Sequence, residues 1–338
     1  EPVVILIGTT RHHEIEQRLS AHGRVRLVFV RWRGLKGTPL AARELARVLA
    51  AETVDVVHTH DMRANLLICL VRPFRRLPWL CHMHGGRGDT HKGRHKISET
   101  LDRRLVARAD HVLVGSHAAL EEVRRAGAHA SSVAWNAVAI PDVVHEPMPE
   151  KRAALGLPGS ATVFTMMGRL HHGKGQDLFL KALAQLDNKL PWHGVIIGVG
   201  QMEEELKSLA SRLSISARVT FTGFVPEVAP WIAGSDVVAV PSRKESLPLT
   251  CLEAMALARP VVVAKTGDLP RVVDDGETGL VVPVDDVAAL AEAFVRLGQD
   301  AELRTRMGVS ARRTVEAHHS VRVLAEATVA TARGLLKT

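Results

Sequence analysis

Short apolar runs alternate with helix-forming segments along most of this 338-residue chain. Runs of this kind are typical of strands buried on both faces of a sheet. Strands separated by helices imply right-handed crossovers between parallel neighbours. We expect strands at 3–7, 25–30, 54–57, 79–83, 111–114, 161–167, 194–197, 219–221, 236–240, 261–264 and 279–282. We expect helices at 14–20, 39–51, 62–70, 97–107, 118–126, 176–186, 202–213, 249–257, 287–297, 301–315 and 321–336. The alternation therefore predicts an α/β fold built on parallel sheets.

The alternation is interrupted between residues 140 and 149, where three prolines cluster and the hydrophobic periodicity is lost. Linkers between domains have this composition. A chain of this length is also too long for one ordinary hydrophobic core. We therefore predict a first domain at 1–139, a second at 140–318, and a terminal helix at 319–338.

Composition limits the compartment in which this chain is expected to work. No apolar run reaches the roughly 18 residues that a membrane span needs, and the first residues lack a signal-peptide pattern. Cys69, Cys81 and Cys251 are far apart in apolar surroundings. Such cysteines are typical of reduced core residues rather than of a disulfide or metal framework. We expect a cytoplasmic protein.

Positive charge is concentrated in the first half of the chain. The net charge is +8, and eleven basic residues stand against three acidic ones between Arg63 and Arg108. Three interpretations stay open: a solvated face, a surface that touches anionic lipid or a lipid-linked acceptor, and a nucleic-acid site. The chain has no tyrosine, and its other aromatic residues do not recur with basic ones in a stacking pattern. We therefore expect no nucleic-acid partner.

Two glutamates lie eight positions apart where a predicted strand gives way to a predicted helix. Pro241 ends the strand, Glu245 falls in the turn that follows, and Glu253 falls inside the helix. Backbone N–H groups near residues 246–250 would project from the helix N-terminus, where anions find donors. Open α/β sheets hold ligands at such strand ends. A phosphorylated, polyhydroxylated ligand fits this pattern.

This segment resembles the glutamate–seven-residue–glutamate motif of retaining glycosyltransferases of family 4, whose fold is called GT-B. Further motifs follow in the family's order: Gly168-Arg169-Leu170 with Lys174-Gly175, Thr222-Gly223-Phe224, Arg259-Pro260-Val261-Val262-Val263 and Asp275-Gly276-Glu277-Thr278-Gly279. The first half matches more loosely, at 55–60 and 78–85. The resemblance implies two Rossmann-like domains with parallel sheets that face a central cleft, with helix 319–338 packed back on the first domain.

The resemblance also implies roles for individual residues. The residues implied in catalysis are His84, Arg169, Lys174 and Glu245. Those implied in binding the donor are Gly8, Thr9, Gly168, Arg169, Lys174, Gly223, Phe224, Glu245, Ser246, Leu247, Pro248, Leu249, Thr250 and Glu253. Those implied on the acceptor side are His60, His84, Gly85, Gly86, Arg87 and Asn136. Arg169 and Lys174 would hold the diphosphate, Glu253 the ribose and Glu245 the donor sugar.

Histidines raise the question of a metal site. His82, His84, His91 and His95 lie close in sequence, while His58 and His60 follow an earlier strand. The first set lacks a cysteine or carboxylate partner, and 18 histidines make chance clusters common. We expect no metal and no cofactor.

The family resemblance implies a retaining, metal-independent transfer of a sugar from a nucleotide diphosphate sugar, with UDP as the expected nucleotide. The acceptor would be a hydroxyl of a cell-envelope, polysaccharide or small glycoside molecule, in a bacterial polysaccharide pathway at the inner face of the membrane. The alternative is a non-catalytic protein of the same fold that binds nucleotide sugars or anionic lipid. A glycosidase reading of the glutamate pair is disfavoured, because Glu253 falls on a helix rather than across a sugar from Glu245.

Overall fold

A computed structural model describes residues 3–8, 17, 21, 25–74, 76–83, 94–141, 152–153, 155–186 and 190–337. The chain forms two compact units. The first unit comprises Glu1–Gly115, Ala119–Ala134 and Thr328–Thr338, and the second comprises Ser116–Ala118 and Trp135–Ala327.

The first unit carries parallel strands in two sheets. A two-stranded sheet pairs β1 with β2, and a four-stranded sheet has the order β3-β4-β5-β6. The strands are β1 (Val3–Gly8), β2 (Arg26–Arg31), β3 (Val57–Thr59), β4 (Trp79–Met83), β5 (His111–Val114) and β6 (Ser131–Val133). The helices are α1 (Thr38–Ala51), α2 (Met62–Val71), α3 (Arg94–Val106) and α4 (His117–Arg125), the last beginning in the second unit.

Apolar stripes explain how these elements pack. On α1, Ala41, Leu45 and Leu49 recur at helical spacing and are buried. On β4, Trp79 is fully buried and its indole N–H donates to the hydroxyl of Thr59 at 2.8 Å, so its polar group is satisfied. The Trp79–Thr59 contact joins β3 to β4 in addition to their backbone pairing.

The second unit is built on one six-stranded parallel sheet of order β12-β11-β10-β7-β8-β9. Its strands are β7 (Thr162–Met167), β8 (Trp192–Ile197), β9 (Val219–Gly223), β10 (Val237–Val240), β11 (Val261–Ala264) and β12 (Gly279–Val282). Its helices are α5 (Gln176–Leu183), α6 (Glu203–Arg212), α7 (Ala229–Gly234), α8 (Leu249–Ala256), α9 (Leu269–Val272), α10 (Val287–Gln299), α11 (Ala301–His318) and the first part of α12 (Val321–Leu335). Val163 and Phe164 on β7 belong to different hydrophobic clusters, so the sheet is covered on both faces.

The structure confirms the predicted α/β alternation, with several differences at element ends. The strand predicted at 54–57 lies instead at Val57–Thr59, because its ladder begins where Val57 pairs with Trp79. Short elements with first-turn prolines, α7 and α9, were not predicted, because prolines there resemble breakers. The serine-rich strand β6 was also missed. Of the helix predicted at 14–20, Gln17 is described and is helical, and the other residues lie outside the described part of the chain.

The main segment of the second unit begins at Trp135, ahead of the boundary predicted at residue 140. The indole of Trp135 lies edge-on to His117 and His319, with ring centroids 5.5 and 5.2 Å apart. Val138 then pairs with Ser320 in an isolated bridge. These contacts explain why residues 135–141 group with the second unit.

The three cysteines are free thiols, as predicted. Burial raises the pKa of both Cys81 and Cys251 to about 12, and burial also raises the pKa of the half-buried Cys69 thiol. Among the helices that the structure describes, none is both long and apolar enough to cross a bilayer.

Candidate functional site

The candidate site lies in the second unit, at the carboxyl ends of its central strands. From β7 the chain proceeds through β8 and β9 towards one sheet edge, and β10 to β12 then extend towards the other. The reversal places a topological switch point between β7 and β10, and ligands of open α/β sheets bind outside such points. The loop 168–175 follows β7, and the loop 241–248 follows β10.

Lys174 and Glu245 bring these two loops together. The Lys174 ammonium forms an ion pair with the Glu245 carboxylate, and the two side chains are 32% and 17% exposed. Lys174 ends a short turn, His172–Lys174, in which the ring of His171 accepts from the backbone N–H of Gly173 at 3.1 Å. Because an ammonium has three donors, Lys174 can hold Glu245 and still donate to an anion.

Gly175 makes the close approach of the loops sterically feasible. Its φ of +79° is left-handed, and a Cβ there would lie 2.2 Å from the carbonyl oxygen of Pro241. Any larger residue would push the loop that carries Lys174 away from the strand end that leads to Glu245. In the Lys174-Gly175 pair, the lysine supplies the charge and the glycine allows the close approach of the two loops.

Arg243 is a residue of this site that the sequence reasoning missed. Its guanidinium donates to both carboxylate oxygens of Asp177 at 2.7 and 2.8 Å, to the carbonyl of His172 at 2.7 Å and to Asp285 at 2.5 Å. Its backbone N–H donates to Gly173 at 2.9 Å. Arg243 therefore fixes the turn that carries Lys174 to the loop that carries Glu245.

The charges around Arg243 shift each other's titration. The hydrogen bonds that Arg243 donates to Asp177 are the main cause that raises the pKa of Arg243. Burial acts to raise the pKa of Asp177, but hydrogen bonds and charge from Arg243 outweigh it and the net shift is downward. Asp177 lies in the first turn of α5, and no spacing rule pairs it with Arg243. The hydrogen bonds of Arg243 to Asp177 and His172, here called the Arg243 clamp, are therefore visible only in the folded structure.

The loop that leads into α8 is held in place by the burial of Leu247 and by a hydrogen bond from Asn136. Leu247 is 2% exposed and packs in the core, so only its backbone can face a ligand. Its carbonyl accepts from the side-chain amide of Asn136 at 2.8 Å. Asn136, predicted on the acceptor side, therefore uses its amide donor to hold the loop 246–248.

The turn that contains Gly267 and Asp268 packs against the same loop. Gly267 has a φ of +55°, and a Cβ there would lie 2.1 Å from the carbonyl oxygen of Glu245. The backbone N–H of Asp268 donates to the carbonyl of Ser246 at 2.9 Å. The turn therefore limits how far the backbone at Glu245 can move.

Helix α8 follows the loop that carries Glu245, and the predicted donor residue Glu253 lies within it. Pro248 precedes it in extended conformation, and no side chain caps it. Cys251, Leu252 and Met255 are buried and anchor the helix. Burial raises the pKa of the half-buried Glu253 carboxyl. The predicted donor residues Ser246, Pro248 and Thr250 are half-buried, and Leu249 is exposed.

The remaining predicted donor residues lie at neighbouring strand ends. The N–H of Gly168 donates to Ile197 at 2.9 Å, and the carbonyl of Gly223 accepts from Gly198 at 2.9 Å. The carbonyl of Arg169 accepts from the buried Gln176 amide at 3.0 Å, and the Arg169 side chain is exposed. Phe224 is 76% exposed.

Fewer of the predicted residues of the first unit are described. Gly8 ends β1, and its carbonyl accepts from Trp32 at 2.9 Å. His60 is exposed and lies beside His58 and His82, with ring centroids 4.2 and 5.6 Å away. The residues predicted at Thr9, His84, Gly85, Gly86, Arg87 and His91 lie outside those that the structure describes.

Comparisons with known proteins agree with this architecture. Residues 2–138 match the family model described as a glycosyl transferase 4-like domain, and residues 147–314 match glycosyl transferases group 1. The chain belongs to glycosyltransferase family 4. Its membership confirms the predicted family.

Two curated relatives illustrate the likeness of this family 4 chain at sequence level. It is 31% identical over 282 residues to a D-inositol 3-phosphate glycosyltransferase of Corynebacterium diphtheriae, covering 76% of this chain and 65% of that protein. It is 32% identical over 176 residues to the lipopolysaccharide core biosynthesis glycosyltransferase LpsE of Rhizobium meliloti, covering 52% of this chain and 51% of that one. The chain thus spans less than two thirds of these relatives' length.

Solved structures of other proteins have the same fold as this family 4 chain. The crystal structure of Anabaena Alr3699/HepE in complex with UDP superposes with a TM-score of 0.82 at 20% identity, over 98% of this chain and 92% of that one. A glycosyltransferase from Rickettsia africae superposes with a TM-score of 0.81 at 16% identity, over 99% and 90%. The predicted GT-B fold, with two Rossmann-like halves, is confirmed.

Proposed function

We propose that this protein is a retaining glycosyltransferase that moves a sugar from a nucleotide diphosphate sugar to a hydroxyl of its acceptor. The observation that carries the proposal is the Lys174–Glu245 pair at the switch point of the second unit. One loop contributes a cation suited to phosphate, and the other contributes a carboxylate suited to sugar hydroxyls. The Arg243 clamp holds them in register.

In the proposed reaction the bond between the anomeric carbon and the diphosphate oxygen breaks. Arg169 and Lys174 stabilise the charge that develops on the departing diphosphate, aided by N–H groups at the start of α8. The acceptor oxygen bonds to the anomeric carbon on the face that the diphosphate leaves, and its proton passes to a diphosphate oxygen. Glu245 holds the donor sugar's hydroxyls, and Glu253 accepts from the ribose.

This division of roles requires no metal at the diphosphate. Charge stabilisation comes from the chain's own cations and helix terminus, because Lys acts as a point charge and Arg as a fork. A UDP donor is proposed because the structural neighbour HepE was crystallised with UDP. His84 and His60 are proposed on the acceptor side.

The acceptor is proposed to be a hydroxyl of a cell-envelope, polysaccharide or small glycoside molecule. The names of the relatives, an inositol 3-phosphate glycosyltransferase and a lipopolysaccharide core glycosyltransferase, support this range. Both imply an acceptor rich in hydroxyls and associated with anionic groups.

A membrane-proximal acceptor is also proposed, because the first unit has a surface that is both basic and apolar. Arg72 pairs with Asp110, and Arg76 and Arg108 are exposed around an open cavity of about 1170 Å³. Phe74 is 90% exposed beside them. Exposed aromatic and basic groups together suit the interface of an anionic bilayer.

Thermal stability with a panel of nucleotides and nucleotide sugars tests the donor site first. A ligand that prefers the native state raises Tm, so UDP and its sugars should raise it more than the GDP, ADP and TDP counterparts. Product formation is then measured against inositol phosphates, simple glycosides and core oligosaccharides.

The variant Arg169→Ala should lower kcat/KM by roughly 100- to 1000-fold, the loss expected when one charge-stabilising donor is removed. The exposed Arg296 on α10 offers a matched control, and Arg296→Ala should leave the rate unchanged.

If no nucleotide or nucleotide sugar in the panel raised Tm, the proposed donor site would be contradicted. A rise in Tm without product from any acceptor would instead support a non-catalytic nucleotide-sugar binding protein.

A further inference from the structure

Three histidines of the first unit converge at the carboxyl ends of β3 and β4. His58 lies on β3 opposite Leu80 of β4, and His60 follows two positions later. Side chains two positions apart along a strand share a face, so His82 lies on the same side of β4 as Leu80. Because Leu80 pairs with His58, His82 lies on the same side of the sheet as His58 and His60. Spacing along the chain groups His82 with His84, His91 and His95, whereas the strand register groups it with His58 and His60.

The ring nitrogens of this histidine cluster (His58, His60 and His82) lie close enough to share one ion. One nitrogen from each ring lies within 4.8 Å of the other two. The rings of His58 and His82 stack at an interplanar angle of 13°, with centroids 6.0 Å apart. Nitrogens bound to one tetrahedral Zn²⁺ are about 3.4 Å apart, given Zn–N bonds of about 2.1 Å. Side-chain rotations that move each ring nitrogen by about an ångström would bring the three nitrogens to the separation of a zinc site.

The donor set points to a borderline-soft divalent ion. Imidazole suits Zn²⁺, Cu²⁺, Ni²⁺ and Co²⁺, whereas Mg²⁺ and Ca²⁺ prefer oxygen ligands. Cys81 does not complete the set. It alternates with His82 to the other face, where its thiol donates to the side-chain oxygen of Asn65 at 3.4 Å.

Burial and exposure divide the cluster in a useful way. His82 is 4% exposed and therefore fixed by its surroundings, while His60 is exposed and gives an ion a path of entry. Three protein ligands leave a fourth tetrahedral position open, as in catalytic rather than structural zinc sites. An oxygen ligand such as a phosphate or a hydroxyl could fill it.

We propose that His58, His60 and His82 bind one divalent transition-metal ion of the zinc class, with an open coordination position. This site lies in the first unit and is separate from the metal-free diphosphate site proposed in the second unit. If no ion bound here, the proposed diphosphate site at Lys174 and Glu245 would still stand, because it shares no residue with the histidine cluster.

The test uses full-length protein stripped with a chelator and titrated with Co²⁺. Co²⁺ on three imidazoles should give the visible absorption bands of a four-coordinate ion, saturating at one ion per chain, and Zn²⁺ should displace it. His60→Ala is the decisive variant, because His60 is exposed and its removal should not disturb folding. It should weaken binding by more than about 10-fold, since losing even an outer-shell partner costs 10- to 100-fold.

His58→Ala should behave in the same way, and circular dichroism checks that both variants are folded. His318→Ala is the matched control, because His318 is exposed at the end of α11 and a chain with 18 histidines binds some metal adventitiously. Equal losses in the His318 and His60 variants would overturn the site. So would the absence of four-coordinate Co²⁺ bands in the parent protein, which would leave the cluster a ring-stacking contact alone.

Discussion

At the scale of single residues, the sequence identifies the charges of the proposed donor site but not the residues that hold them in place. Lys174 and Glu245 can be found from motifs, and the structure pairs them. Arg243 cannot, because its partners Asp177 and Asp285 come from distant segments with no motif of their own. Positioning residues of this kind depend on the tertiary fold, so a pattern along the chain does not reveal them.

The Arg243 clamp can be tested by substitution. Arg243→Gln should lower kcat/KM by about 10- to 100-fold, because displacing a catalytic loop by about 1 Å can cost 100-fold. Arg243→Lys should not restore the rate, since a lysine cannot form the two-pronged contact with Asp177. Both are measured by steady-state kinetics with the donor identified in the nucleotide panel.

The exposed Arg296 again serves as the control, and Arg296→Gln should be silent. A positioning role predicts that KM for the donor rises along with the fall in kcat, while Tm changes little in saturating nucleotide. Full activity in Arg243→Gln would show that Lys174 and Glu245 hold their geometry without the clamp.

At the scale of elements, strand ends and loops have to approach more closely than most residues permit. Gly175 brings the loop after β7 against Pro241 at the end of β10, and its φ is left-handed. Both properties matter for stability, but they can be separated. Gly156 has a similar φ of +66° with open space around its Cβ position.

Gly175→Ala should therefore lower the free energy of unfolding by more than Gly156→Ala does. Alanine in the left-handed region costs about 1–2 kcal/mol at either site, and the clash with Pro241 should add about 1–3 kcal/mol at Gly175 only. Chemical denaturation measures both. Equal effects would mean that the loop after β7 relaxes freely and that the approach is not required.

Most elements were predictable because the sheet is buried on both faces, so its strands are continuous apolar runs. Val261–Ala264 and Gly279–Val282 were placed to the residue for that reason. The short strand at 57–59 was displaced, because its position follows from pairing with β4 rather than from its own composition. The candidate histidine cluster was missed for the same reason, since it depends on register across two strands.

At the scale of the whole molecule, the two units carry different charge and different tasks in the proposed reaction. The Lys174–Glu245 pair of the proposed donor site belongs to the second unit, and the basic and apolar surface around Phe74 belongs to the first. That separation allows membrane contact to be altered without touching the donor site.

Phe74→Ser combined with Arg76→Glu should weaken binding to vesicles rich in anionic lipid. Each basic residue near such a surface contributes about 1 kcal/mol, so the charge reversal alone should cost about 10-fold or more. Sedimentation with anionic and with neutral vesicles measures the effect. Arg296→Glu changes the same charge on the second unit and should leave binding intact. Equal binding to both kinds of vesicle would contradict the proposed surface.

The state of the three thiols has a practical consequence for chemical labelling. Thiol reagents attack the thiolate, and Cys81 and Cys251 are buried with pKa values of about 12. Replacing only the half-buried Cys69 should therefore give a background that reacts slowly with maleimides. A single new cysteine on each unit could then carry a pair of fluorophores, and the transfer efficiency between them would report the separation of the units as donor and acceptor bind.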